Sequence, residues 1–396
     1  MDIQLADRVQ RVKPSPTMAV SARAAEMRAA GHDVIGLGAG EPDFDTPEHI
    51  SDAAIEAIRA GQTRYTAVDG TAALKQAIQD KFKRDNGLTY EANQILVSSG
   101  AKQSLYNLFS AVLNAGDEVV IPAPYWVSYP DMALLADATP CIVHADQSQR
   151  FKITPSQLDA AMTEHTRIVV LNSPSNPTGS AYSRAELEAL GEVLRAYPNA
   201  LIASDDIYEH ILWTDEDFSN IVMACPDLND RTVVVNGVSK AYAMTGWRIG
   251  YATGPVDVIA AMRKIQSQST SNASSISQAA SVAALNGDQS VIGPMVKAFR
   301  DRHDFVVERL NAMQGVSCIA GDGTFYAYPD VSGAMAALDG VNSDTALAEY
   351  LISEAKVAVV PGTAFGLSGH VRISYATSMD NLEKAMDRLE GVFGRV

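Results

Sequence analysis

The chain has 396 residues, 47% of them hydrophobic, and carries 31 Lys and Arg against 47 Asp and Glu, a formal net charge of −16. That length suits two domains, or one large domain with an appendage, and the apolar fraction excludes a disordered chain or a coiled coil. An acidic chain is repelled by phosphate backbones and anionic lipid, so nucleic acid and membrane are excluded as partners, and any anionic ligand has to meet a local cluster of donors. Cys141, Cys225 and Cys318 are odd in number and widely spaced. They fit neither a disulfide framework nor a Cys-x-x-Cys site and read as buried, inert thiols in a reducing compartment. The N-terminal segment has no apolar h-region and no stretch reaches the ~18 apolar residues of a membrane span, which points to a soluble cytoplasmic protein.

In chain order, Thr46-Pro47 is predicted to open a helix as N-cap and first helical residue, with Ile50, Ala54 and Ile58 on one face and Gly61 closing it. Short apolar runs at 94–98, 118–121, 140–144, 167–171, 200–203 and 232–235 read as strands. Helical segments separate most of them. Thr154-Pro155-Ser156-Gln157 and Ser183-Arg184-Ala185-Glu186 have capping-box spacing, the second opening a helix with Leu187, Leu190 and Leu194 inward. This alternation predicts an α/β fold with a mostly parallel sheet covered on both faces. The link from the 232–235 run to the run at 248–253 is too short for a parallel crossover, so one antiparallel strand is expected. A long helix at 291–313, strands near 325–328, 358–360 and 371–375, and a final helix capped by Ser378 with Leu382, Met386, Leu389 and Phe393 inward then read as a smaller α+β domain. The expected division is a large domain at 46–290 and a small one built from 1–45 and 291–396.

The most informative segment is Ser239-Lys240-Ala241-Tyr242-Ala243-Met244-Thr245-Gly246-Trp247-Arg248, which sets a lysine and an arginine eight residues apart after a buried strand. A strand-end loop of an α/β sheet exposes such residues to a crevice, and a lysine in apolar surroundings is costly unless its amine is neutral or covalently used. Taken alone, Lys240 is equally well an ordinary loop cation. Three more strand-end segments weigh against that: Asn172 to Gly179, Ser204-Asp205-Asp206-Ile207-Tyr208, and Ala123-Pro124-Tyr125-Trp126. Lys, Asp, Tyr, Asn, Trp and Arg together at strand carboxyl ends are what an electrophilic aromatic cofactor requires.

The motifs GAGEPDFDTP at 38–47, APYWVSYP at 123–130, NSPSNPTG, SDDIYEH and SKAYAMTGWRIGY occur in this order over nearly the whole length. In them the chain resembles a class I aminotransferase of the pyridoxal-phosphate fold type I superfamily, most similar to its prokaryotic aspartate aminotransferase branch. The resemblance implies that Lys240 binds pyridoxal 5'-phosphate as a Schiff base and, once freed, carries the substrate proton. It implies that Asp205 keeps the pyridine nitrogen protonated, that Tyr208 and Asn176 hydrogen-bond the phenolic oxygen, and that Trp126 stacks on the ring. The structural alternatives are a helix cap for Asp205, a packed aromatic for Tyr208 and Trp126, and a turn residue for Asn176. Asp206 is left facing solvent or behind the site. The phosphate is expected at the turn Ser99-Gly100-Ala101-Lys102, where a helix begins, with Arg248 adding a fixed charge and Tyr65 arriving across a homodimer interface with shared active sites. Gly237 stands where some relatives have a phosphate-binding hydroxyl, which Ser239 either replaces or does not.

Arg372 matches the arginine that grips the substrate α-carboxylate, and Gly40 lets the backbone approach that substrate. Lys102 matches a lysine implied in recognising the distal carboxylate of aspartate or glutamate; a contact with phosphate or solvent is the alternative. Lys13 and Thr17 lie in the segment that in this family folds over the site, and related enzymes with these residues also accept prephenate. Aspartate or glutamate as donor with 2-oxoglutarate or oxaloacetate as acceptor is therefore the expected transamination. Prephenate or aromatic transamination, a lyase, decarboxylase or acyltransferase on the same fold, or a noncatalytic binding domain are the alternatives. The seven histidines show no ligand spacing, so no metal is expected, and Asp215-Glu216-Asp217 reads as a solvated loop.

Overall fold

A computed structural model describes residues 3–394. Met1, Asp2, Arg395 and Val396, at the ends of the expected small domain, lie outside the described residues. The strands are β1 (Ile35–Gly36), β2 (Ile95–Ser98), β3 (Glu118–Ala123), β4 (Thr139–His144), β5 (Thr166–Asn172) and β6 (Leu201–Asp205). They continue as β7 (Thr232–Gly237), β8 (Gly250–Thr253), β9 (Tyr326–Ala327), β10 (Val357–Ala358), β11 (Val360–Pro361) and β12 (Val371–Ser374).

Seven strands form one sheet in the order β2-β8-β7-β6-β5-β3-β4. All neighbours are parallel except β8, which runs antiparallel to both β2 and β7. Side chains alternate across the pleat, so Val169 and Leu171 enter one buried cluster and Ile168 and Val170 the other. Both faces are covered, which is why these strands read as continuous apolar runs and not as alternating ones. The helices at Ala72–Lys81, Arg184–Arg195 and Ser275–Asn286 cover the first face; those at Ala101–Val112, Ser128–Leu135 and Val256–Ser267 cover the second. Both predicted capping boxes form, at Thr154 and at Ser183.

A third buried cluster joins the helices Ile292–Asn311 and Met379–Phe393 to a small antiparallel sheet, β11-β12-β9. Tyr208 and Ile211, just past β6, belong to this cluster. The end of the large sheet is thereby packed directly on the small one.

Three expectations are corrected. The helix predicted from Thr46 begins at Glu48, because the Thr46 hydroxyl is taken up elsewhere, donating to the Ala243 carbonyl at 2.7 Å and accepting from Trp247 Nε1 at 3.0 Å. Its inward face is Ile50, Ala54 and Ala57, while Ile58 is 52% exposed. Cys141 is half-buried, since it lies on the edge strand β4. Of the two alternatives left for Asp206, the structure selects the one behind the site: it is buried, accepting from Ser204 Oγ and Asn220 Nδ2, both at 2.7 Å.

Candidate active site

The loops after β2, β3, β5, β6 and β7 all emerge at the carboxyl ends of parallel strands, where open α/β sheets bind ligands. Arg248, two residues before antiparallel β8, comes to the same end. Lys240 lies in the turn after β7. Its Nζ donates to the Gly40 carbonyl at 2.5 Å and sits 5.7 Å from the ring of Tyr208 and 5.8 Å from that of Phe325. None of these partners is a carboxylate. Burial, seconded by the Arg372 charge, lowers the amine to about 8, which brings a neutral, nucleophilic lysine within reach of neutral pH.

Asp205 ends β6, paired in register with Asn172 of β5. The Tyr129 hydroxyl donates to its Oδ2 at 2.6 Å, with both residues buried. Burial raises the carboxyl to about 6 even though the tyrosine hydroxyl opposes the shift. Asn172 Nδ2 donates to the Asp205 carbonyl at 2.9 Å and Asn172 Oδ1 accepts from the Asn176 backbone at 3.0 Å, so one side chain ties the two loops together.

Arg372, on β12, is 2% exposed. It donates from Nη1 to Asn176 Oδ1 at 2.9 Å and from Nη2 to the Gly38 carbonyl at 2.7 Å, and its Nε has no partner among the described residues. A buried guanidinium with neutral acceptors only is poised for an anion. Because Asn176 Oδ1 is occupied, its NH2 is the part left for a ligand. Tyr326, from β9, lies under the Arg372 guanidinium, 4.4 Å from ring centroid to Cζ, and exchanges a hydrogen bond of 2.9 Å with the Tyr208 hydroxyl. A methyl group on Gly40 would come 3.1 Å from the Tyr326 hydroxyl, so glycine keeps that approach open.

The remaining cations surround the turn at Gly100. The helix Ala101–Val112 starts there, with Gly100 at φ 87°, and a Cβ on Gly100 would collide with the Arg248 guanidinium. A Cβ on Gly250 would likewise collide with the Ala101 nitrogen. Two glycines thus let a guanidinium and free helix N–H groups converge, the arrangement that binds phosphate or carboxylate. Lys102 and Arg248 line a cavity of ≈ 510 Å³ with Lys13, Ser99, Tyr106 and Asp131 among its other walls. Lys102 Nζ lies 4.9 Å from the Trp126 ring, and burial followed by the Arg248 charge lowers its pKa.

The family model for "Aminotransferase class I and II" matches residues 32–389. The chain belongs to this family. The aminotransferase is 58% identical over 392 residues to the aspartate/prephenate aminotransferase of Nitrosomonas europaea, covering 98% of this chain and 99% of that one. It is 55% identical to the enzyme of the same name from Cereibacter sphaeroides, covering 98% of each. The crystal structure of the Rhizobium meliloti aspartate aminotransferase superposes with a TM-score of 0.96 at 49% identity over 100% of both chains. That of the Thermus thermophilus aspartate aminotransferase with maleate gives 0.93 at 42%, over 99% of this chain and 100% of that one.

The other candidate residues are placed less centrally. Trp126 packs edge-on against Tyr129, centroids 5.3 Å apart. Tyr65 is 92% exposed. Thr17 is half-buried in the helix Pro16–Ala29 and is not among the cavity walls, which include Ser15 and Pro16. Ser239 is buried in the lysine turn, its carbonyl accepting from Met244 N at 3.1 Å. Gly237 has a steric reason: a Cβ there would lie 2.9 Å from the Ile249 carbonyl of the incoming β8 segment. Tyr129, Asn172 and Tyr326 were given no role by the sequence, although Tyr129 and Asn172 stand inside quoted motifs.

A separate cluster lies behind the site, where ligand atoms of Asp85, Glu209 and His210 come within 4.8 Å of one another. Lys81 is already ion-paired with Glu209 there, supplying the positive charge that a metal would bring.

Proposed function

We propose that this aminotransferase is a cytoplasmic homodimer that uses pyridoxal 5'-phosphate to move the amino group of aspartate or glutamate to 2-oxoglutarate or oxaloacetate, by a ping-pong mechanism. The observation that carries the reading is a pair of cations, the half-buried Lys240 and the buried Arg372, that have neutral hydrogen-bond partners and converge on Tyr208 and Tyr326. Buried cations left without carboxylates need an anionic ligand, and a dicarboxylic amino acid on a phosphorylated cofactor supplies several charges.

The residues fit that cofactor. The unpartnered Arg372 Nε, the amine of Lys240 and the glycine-lined turn beneath Arg248 form a donor set for a group carrying an aldehyde, a phosphate and, with substrate, a carboxylate. Once bound there, pyridoxal phosphate would supply an electron sink for the carbon that loses its proton. Lys240 would hold it covalently and afterwards take up and return the substrate proton, a task suited to an amine lowered to about 8. Asp205 would hold a proton on the ring nitrogen. Tyr208 and the Asn176 NH2 would donate to the ring oxygen, and Trp126 would cover the ring. Gly100, Ala101, Ser239 and Arg248, with Tyr65 of the second subunit, would hold the phosphate; the 92% exposure of Tyr65 supports its use across an interface. Arg372, beside Gly40, would fix the α-carboxylate, and Lys102 with Lys13 and Thr17 would read the distal end. The separate buried clusters support the two-domain division at 46–290, with the site between the units.

The relatives' names support aspartate as donor, and maleate, in the Thermus thermophilus structure, is itself a dicarboxylate. Prephenate as an additional acceptor is favoured by the ≈ 510 Å³ cavity, whose walls combine Lys13 and Lys102 with Tyr106 and Leu135. A panel of amino donors against 2-oxoglutarate, oxaloacetate and prephenate tests both readings. Aspartate should convert the holoenzyme's visible absorption in a half-reaction; no conversion by aspartate, glutamate or an aromatic amino acid would end the proposal. Borohydride reduction followed by peptide mapping should label Lys240.

A further inference from the structure

We infer that Tyr326 is a positioning residue that couples Tyr208 to Arg372, its hydroxyl setting the donor strength of Tyr208 and its ring holding the guanidinium without occupying it. The inference deepens the proposed function and rests on it.

Three segments of the site meet on this one buried side chain. Its hydroxyl is 2.9 Å from that of Tyr208 at the end of the large sheet, and a Cβ on Gly40 would lie 3.1 Å from it. Its ring lies 4.4 Å from Arg372 Cζ, the two residues being on neighbouring strands of the small sheet. Where Tyr208 donates its proton to a ligand, its oxygen is the acceptor in the bond to Tyr326, which then has to donate. A donor behind a donor polarises the chain and strengthens the outward bond. The ring serves Arg372 differently. An acidic residue in this place would pair with the guanidinium and compete with a substrate carboxylate, whereas an aromatic face attracts the cation and leaves its N–H groups free. That agrees with an Nε that has no partner among the described residues.

The test separates hydroxyl from ring. Tyr326→Phe keeps the ring, so holoenzyme affinity for succinate, a nonreacting dicarboxylate, should stay within about twofold of wild type, well inside the tenfold range that a desolvated cation–π contact can carry. The weakened Tyr208 donor would stabilise the anionic cofactor oxygen less, and the pH midpoint of the visible absorption should rise by about half a unit. Tyr326→Leu removes the ring, and succinate affinity should fall by about tenfold. Thermal denaturation of each variant checks its folding, and Tyr326→Phe, isosteric but for one oxygen, keeps the hydroxyl arm informative if the leucine variant unfolds. An unmoved midpoint in Tyr326→Phe, or unchanged succinate binding in a folded Tyr326→Leu, would overturn the inference while a normal wild-type band leaves the proposed function standing. A wild-type holoenzyme without any borohydride-sensitive, pH-dependent band would refute the role of Lys240, and this inference with it.

Discussion

Two lysines lie near the end of β6, Lys81 buried and Lys240 half-buried, and they meet opposite company. Lys81 is 1% exposed and ion-paired with Glu209, its Nζ also donating to Asn86 Oδ1 at 2.8 Å. Glu209 accepts further from Asn86 at 3.0 Å and from Asn236 at 2.9 Å. Burial pushes Glu209 up, but Lys81, His210 and these donors outweigh it and hold the carboxyl down to about 2. Four residues earlier, Asp205 has a tyrosine hydroxyl in place of a lysine and rises to about 6, while Lys240 has a backbone carbonyl in place of a carboxylate and falls to about 8. The same residue types, the two carboxylates at similar depth, are thus locked into permanent charge in one place and left movable in the other. Burial alone does not make a lysine reactive; withholding its counterion does.

The largest expected contrast is in turnover. Lys240→Ala should lower kcat by at least about 10⁴-fold, the upper range for a general base, because covalent attachment and proton transfer are lost together. Stopped-flow absorbance with aspartate measures it, and substantial residual turnover would break the assignment. Lys81→Met should instead be felt in stability, at about 3–5 kcal/mol by urea denaturation, because it strands the Glu209 charge in the interior. Adding Glu209→Leu should recover most of that loss. Lys240→Met strands no charge, so it should leave the cofactor-free protein as stable as wild type near pH 8 or more so. Equal losses at Lys81 and Lys240 would erase the distinction between the two sites.

Much of this contrast was written in local sequence and part of it was not. The strand runs, the capping boxes at Thr154 and Ser183 and the reversal into β8 follow from spacing within a dozen residues. The strand-end motifs were readable for a related reason: a parallel sheet delivers every such loop to one end. What stayed hidden depends on partners far along the chain. Tyr326 meets Tyr208 across 118 positions and Tyr129 meets Asp205 across 76. Thr46 looked like a helix cap until the Lys240 turn, about 200 residues on, claimed its hydroxyl. The sequence leaves Asp206 between solvent and a place behind the site, and only packing sets this buried carboxyl at about 7 and that of Glu209, three residues on, at about 2.

The two lysine sites should also separate by pH. A Lys240 amine that titrates at about 8 in the fold and at 10.5 when unfolded is protonated in both states below about 8, where its buried charge is a fixed penalty. Between about 8 and 10.5 the unfolded chain binds the extra proton, so stability rises with pH by up to about 3 kcal/mol. Glu209, at about 2 against an ordinary 4.5, acts with the opposite geometry: its contribution is complete above about 4.5 and is lost as pH falls toward 2. Urea midpoints of cofactor-free wild type minus Lys240→Met should therefore climb across the alkaline window. A flat difference would mean that the Lys240 amine is no more perturbed than a surface lysine.

The smallest expected effect tests the acidic half of the comparison. Asp205 is useful to a pyridinium only as a carboxylate, yet burial already lifts it to about 6, and the Tyr129 hydroxyl is first among the groups opposing that rise. Tyr129→Phe removes this donor while keeping the ring that packs on Trp126. The Asp205 carboxyl should then move further up, and cofactor retention at pH 7 should weaken by roughly tenfold, the worth of one hydrogen bond to a charged group. Fluorescence titration of the cofactor-free protein with pyridoxal phosphate measures the loss. It should grow as pH falls from 8 to 6, because a carboxyl nearer its midpoint is increasingly the neutral acid. A loss independent of pH would assign Tyr129 to packing alone, and Asp205 would then keep its charge without help.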